Sequence, residues 1–114
     1  MNLKTVADEA LIEALRQKDL DALEELYDRH HGMAMAIAYR VLGDRGMSED
    51  VVQEAFLAVW RQGGSYTASR GSVRSWLLSI VRHRAIDLTR GRSFNRERVS
   101  LDQVILEPRQ IRQS

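Results

Sequence analysis

Between Ser48 and Gln62 the chain reads SEDVVQEAFLAVWRQ, and its apolar residues come in pairs one helical turn apart: Val51 and Val52, Ala55 and Phe56, Val59 and Trp60. That spacing places all six on one face of an α-helix and fits no strand, whose side chains alternate with a period of two. The opposite face holds Asp50, Gln53, Glu54, Leu57 and Arg61. A helix of this kind must bury its apolar stripe against other elements, so the chain is constrained to a packed helical fold. Ser48 is the expected N-cap, with Glu49 and Asp50 set against the positive end of the helix dipole.

The rest of the chain repeats the pattern. A first helix is expected over about Val6–Arg16, with Ala7, Ala10, Leu11 and Leu15 as its stripe. A second runs from Leu20 to about Leu42, capped by Asp19, with Leu23, Leu26, Tyr27, Met33 or Ala34, Ile37, Ala38 and Val41 on one side. Gly32 lies in its interior, where a kink or a close helix contact is one use for a glycine that costs about 1 kcal/mol against alanine. A fourth helix is expected over about Ser72–Arg90, with Val73, Trp76, Leu77, Ile80, Val81 and Leu88 on its core face and Gly91 marking its end. Runs of alternating β-branched residues are absent. The expected fold is all-α, a compact bundle of about four helices over residues 1–92. A basic linker or tail over 93–114 follows, in which Ser100 and Gln103 have the spacing of a capping box before Pro108.

Composition narrows the function. The 114 residues suit one domain of the usual ~100–150 residues. With no cysteine there is no disulfide and no thiolate metal site. No apolar run approaches the ~20 residues needed to span a bilayer, and the N-terminus has no secretory pattern. The cytoplasm, with no membrane partner, is the expected location. Charge is unevenly distributed along the chain. Residues 1–60 carry six Lys/Arg and twelve Asp/Glu, net −6, whereas residues 61–114 carry eleven and four, net +7. Such asymmetry suggests different partners for the two halves, nucleic acid for the basic one, or an acidic and a basic part attracting each other within one bundle.

Catalytic and metal-binding patterns are weak. His30 and His31 are adjacent and point about 100° apart on a helix, so they do not share a ligand face and read as surface residues. The matching Glu and Glu-x-x-His sets of a bundle metal site are missing, as are phosphate-cradling glycine motifs. No enzymatic activity, cofactor or metal is expected. The fourth helix is more informative, because Ser75, Ser79, Arg82, His83, Ile86 and Arg90 share the face away from the core, with Trp76 at its edge. The preceding stretch, GGSYTASRGS, adds small hydroxyl residues, Tyr66 and Arg70. Hydroxyls can reach base edges, aromatic rings stack on unpaired bases and arginines neutralise phosphates. Arg84 falls within the apolar stripe, where it either snorkels or pairs with an acid of the first half.

Taken in order, ALEELYDRHH (22–31), YRVLGD (39–44), EDVVQEAFLAVWR (49–61) and SWLLSIVRHRAIDLTR (75–90) resemble the second conserved region of bacterial RNA polymerase sigma factors of the extracytoplasmic-function (ECF) group. The resemblance spans roughly residues 7–92. It implies that Asp50, Gln53, Glu54 and Leu57 dock on the polymerase β′ clamp, with Phe56 and Trp60 in the core. It also implies that the loop at about 64–72 and the fourth helix melt the promoter minus-ten element and hold its non-template strand. The residues so implicated are Ser65, Tyr66, Arg70, Ser72, Arg74, Trp76, Ser79, Arg82, His83 and Arg90. His83 stands where the family often has asparagine, which bears on base preference. The family's C-terminal helix-turn-helix domain has no counterpart in these 114 residues, so a fragment of a longer factor is expected. An anti-sigma partner is a family expectation. The competing reading is a helical protein–protein interaction module with no DNA role.

Overall fold

Asp19 joins the first two helices twice over. In the computed structural model, which describes residues 2–62 and 65–102 with side chains as far as Gly91, its backbone N–H closes the end of α1 (Asp8–Arg16) on the Ala14 carbonyl. The Lys18 N–H bonds the Leu15 carbonyl beside it, so the two bonds form a Schellman motif with Lys18 left-handed at φ 63°. The Asp19 carboxylate then caps α2 (Leu20–Leu42) by accepting from the Asp21 N–H at 3.0 Å. A short 3₁₀ turn, Leu3–Thr5, precedes α1.

α2 ends at Gly43, whose left-handed backbone (φ 66°) returns its N–H to the Tyr39 carbonyl at 2.7 Å. Asp44 follows and starts α3 (Arg45–Gln62), accepting from the Met47 N–H at 2.8 Å. This corrects the expected start of the third helix. Ser48 is no cap but an interior residue, fully buried, whose hydroxyl donates to the Asp44 carbonyl at 2.7 Å. The helix gains a turn because Asp44 supplies the capping oxygen four residues earlier. Glu49 and Asp50 accordingly lie beyond the first turn, which contains no acid.

α4 spans Val73–Asp102 and is capped by Ser72, whose Oγ accepts from the Ser75 N–H at 3.0 Å. The helix end expected at Gly91 is not there. Gly91 keeps helical backbone, since positive φ among the described glycines is confined to Gly43 and Gly71, and one glycine costs too little to stop a helix. The expected boundary between residues 92 and 93 therefore falls inside α4. The Ser100–Gln103 capping box and Pro108 lie at or outside the limit of the described residues.

The four helices pack into an all-α bundle in which α2 contacts α1, α3 and α4. Leu11, Ile12 and Leu15 of α1 meet Leu26 of α2, Val52, Phe56 and Val59 of α3, and Leu77 and Val81 of α4, all buried. On α2 the choice between Met33 and Ala34 falls to Ala34, as Met33 is exposed. Gly32 makes no close contact, since a Cβ built there meets nothing within 4 Å. The buried row on α2 runs at intervals of four, through Ala22, Leu26, His30, Ala34 and Ala38. His30 is thus a core residue, against the expectation of a surface one. Its burial is tolerated because Nε2 meets Asp8 Oδ2 at 2.9 Å. His31 is half-buried, its ring 4.6 Å from that of Tyr27. No described helix is long and apolar enough to cross a membrane.

Candidate functional site

α3 turns its two faces as the periodicity dictates. Val51, Val52, Ala55, Phe56 and Val59 are buried, and Trp60 is half-buried with the Lys18 ammonium 5.1 Å from its ring centre. Asp50, Gln53, Glu54, Leu57 and Arg61 are exposed. Leu57 is 48% exposed, an apolar side chain left in solvent beside two carboxylates and an amide. The structure brings Asp50, Gln53, Glu54 and Leu57 together along one edge of a groove of ≈ 750 Å³ between α3 and α4. On the other side of α3 a smaller groove of ≈ 370 Å³ runs from Leu57 to Leu20 and Leu23 of α2. Leu20 is 63% exposed.

Arg84 resolves as one of its two alternatives. It reaches from α4 to Glu54, with Nη1 3.3 Å from Oε1. Both ends are open to solvent, so the pair orients side chains more than it stabilises the fold.

The loop ahead of α4 is held by three contacts. The Tyr66 hydroxyl donates to the Gly71 carbonyl at 2.7 Å, and Arg16 of α1 donates to the Tyr66 carbonyl at 2.9 Å. The Tyr66 ring packs on Trp76, centroids 5.2 Å apart and planes inclined at 59°. Gly71, at φ 93° and ψ −157°, adopts a backbone open essentially to glycine alone. Tyr66 and Trp76 are each 6% exposed and belong to the hydrophobic core. This corrects the expectation that they present rings to bases. Their large apolar area is consumed in packing, which fixes the loop from beneath.

What the loop leaves outside is polar. Ser65, Thr67, Ser69, Arg70 and Ser72 are exposed, with Thr67 Oγ1 2.9 Å from Ser69 Oγ. Along α4, Arg74, Ser75, Ser79, Arg82, His83 and Arg90 are exposed as well, while Ile86 is half-buried. Of the ten residues expected at a nucleic-acid face, eight are exposed around this loop and helix, and Tyr66 and Trp76 support it. Gly64 lies outside the described residues. Thr67 and Ser69 join the exposed set, and the signal for them was the loop's run of hydroxyl residues. Asp87 and Leu88, on the groove wall beside Arg84, were missed as a group. Their signal was the spacing of 84, 87 and 88 on one helical line.

Within one all-α bundle, α3 thus carries an acidic, partly apolar face, and the loop and α4 carry a basic, hydroxyl-rich one. The chain belongs to the sigma-70 region 2 family, which matches residues 26–94. Curated relatives bear out the resemblance to the ECF group. The chain is 37% identical over 92 residues to the ECF RNA polymerase sigma factor SigK of Mycobacterium sp. (strain KMS), covering 81% of this chain and 48% of that protein. To the SigK of Mycolicibacterium vanbaalenii it is 38% identical over 88 residues, 77% and 45% of the two chains. To that of Mycobacterium tuberculosis it is 35% identical over 82 residues, 72% and 44%. The chain thus spans about half the length of these relatives.

Proposed function

We propose that this chain is the polymerase-docking and promoter-melting region of an ECF-type sigma factor, acting in the cytoplasm on core RNA polymerase and promoter DNA. The observation that carries the reading is the separation of two exposed surfaces. Asp50, Gln53, Glu54 and Leu57 share one edge on α3, while Arg70, Arg74, Arg82, His83 and Arg90 lie on the loop and helix that follow. The first set docks on the β′ clamp, where carboxylates fix orientation and Leu57 adds apolar contact area. The second holds the non-template strand of the minus-ten element. Arginines neutralise phosphates, and Ser65, Ser72 and Ser79 offer hydroxyls to a displaced base. Flipping a base costs a few kcal/mol, which contacts to the unpaired base must offset. A loop already braced by Tyr66 and Trp76 meets that base without first having to be ordered. Binding and strain do the work, with no bond made or broken by the protein. An anti-sigma partner, on this reading, acts by covering one of the two surfaces.

Co-purification with core polymerase and titration with a single-stranded minus-ten oligonucleotide test the two halves separately. Glu54→Lys is expected to abolish polymerase binding while leaving helicity and oligonucleotide binding intact. Oligonucleotide binding should fall steeply with salt and depend on sequence. A chain that binds no oligonucleotide at low salt is instead a protein–protein interaction module.

A further inference from the structure

Arg84, Asp87 and Leu88 form the far wall of the groove whose near wall is the Asp50–Leu57 edge of α3. They stand at i, i+3 and i+4 on α4, one helical line, so they present a continuous strip rather than scattered side chains. We infer that the polymerase-docking surface is this two-helix groove rather than the α3 face alone, with Asp87 as a further acidic contact and Leu88 as a further apolar one. The inference rests on the docking role proposed for α3.

The chemistry of the two walls specifies the occupant. Among the described lining residues, Asp50 and Glu54 on one side and Asp87 on the other set three carboxylates against the guanidinium of Arg84. The apolar groups are Leu57, exposed, and Leu88, half-buried. A helical segment of the clamp carrying arginine or lysine along an apolar stripe complements this arrangement in both charge and shape. Arg84 is a positioning residue. Held 3.3 Å from Glu54, it anchors that carboxylate at the groove and bridges the two walls.

The test is the affinity of the chain for core RNA polymerase, with Glu54→Lys as a companion variant. Asp87→Lys should weaken binding roughly tenfold at moderate salt, and the loss should shrink as salt screens the groove. Its helicity and its affinity for a minus-ten oligonucleotide should not fall, since the change adds a cation. Asp87→Asn keeps the side-chain shape and should give a smaller loss in the same direction. It decides the matter if the lysine variant fails to fold. Unchanged polymerase affinity for the folded Asp87 variants, with binding lost in Glu54→Lys, overturns the groove and leaves docking through α3 standing. A Glu54→Lys chain that binds like the parent overturns the docking role itself, and the groove with it.

Discussion

His30 Nε2 lies 2.9 Å from Asp8 Oδ2, so a buried imidazole in the middle of α2 is satisfied by a carboxylate from the first turn of α1. The other oxygen of Asp8 accepts from Arg29 at 3.0 Å. Arg29 in turn reaches Glu25 at 2.8 Å and the Leu3 carbonyl at 2.8 Å. The hydrogen bond to Glu25, followed by that to Asp8, raises the Arg29 guanidinium above its ordinary pKa against the opposing pull of burial. One carboxylate therefore ties the start of the chain to the helix at the centre of the bundle.

Asp8→Ala should cost about 1–3 kcal/mol, because it leaves a buried ring nitrogen without its partner and takes one acceptor from Arg29. Urea unfolding of Asp8→Ala, His30→Ala and the double variant measures the coupling, expected at ~0.5 kcal/mol or more. Strict additivity of the two changes would show that the contact contributes nothing.

Gly32 inside α2 and Gly43 just past its end should respond in opposite directions. Gly32→Ala places a methyl group in open space within a helix and should stabilise the fold by roughly 0.8–1 kcal/mol. Gly43→Ala meets equally open space, but its φ of 66° penalises any Cβ, so a loss of about 1–2 kcal/mol is expected. Thermal melts of the two variants should move apart. A shared direction sinks this account of the α2 end.

Tyr66→Phe keeps the ring on Trp76 and removes only the hydroxyl that holds Gly71. Stability should fall by ~1 kcal/mol, read as a lower urea midpoint with unchanged slope. A midpoint equal to that of the parent would mean that ring packing and the Arg16 bond to the residue-66 carbonyl hold the loop without the hydroxyl.

Arg82 and His83 are neighbours on α4 with different expected effects. Arg82→Ala should weaken oligonucleotide binding for all sequences alike and lower the salt dependence by about one phosphate contact. His83→Asn should shift which base is preferred at the flipped position. Titration against oligonucleotides varied at each minus-ten position separates the two, and an unchanged preference after the His83 change removes that residue from the pocket.

Much of this was legible in the sequence because periodicity is a local property. The six apolar residues of α3 and the outward Asp50, Gln53, Glu54 and Leu57 follow from 3.6 residues per turn, and Asp19 caps α2 as its residue type suggests. The failures come from competition and from long-range contact. Ser48 was outcompeted by Asp44, a better-placed oxygen four residues earlier. His30 reads as polar until Asp8 arrives from a different helix, although its place in the row 22, 26, 30, 34, 38 marked it. Tyr66 and Trp76 have the composition of a stacking platform, and only the tertiary fold decides that they pack against each other, tilted, in the core. Arg84 needed α3 as a neighbour before its partner could be named.

Only Gly43 and Asp44 separate α2 from α3, and each is committed to a helix end by its own hydrogen bond. A joint with no slack leaves Leu20 and Leu23 of α2 and Leu57 of α3 at a fixed spacing before anything binds. A partner resting on both helices meets backbones already placed by that joint, whereas each residue of a flexible link would cost roughly 1–2 kcal/mol to fix. Lengthening that joint by a few flexible residues would keep every contact residue and still slow the formation of a productive complex.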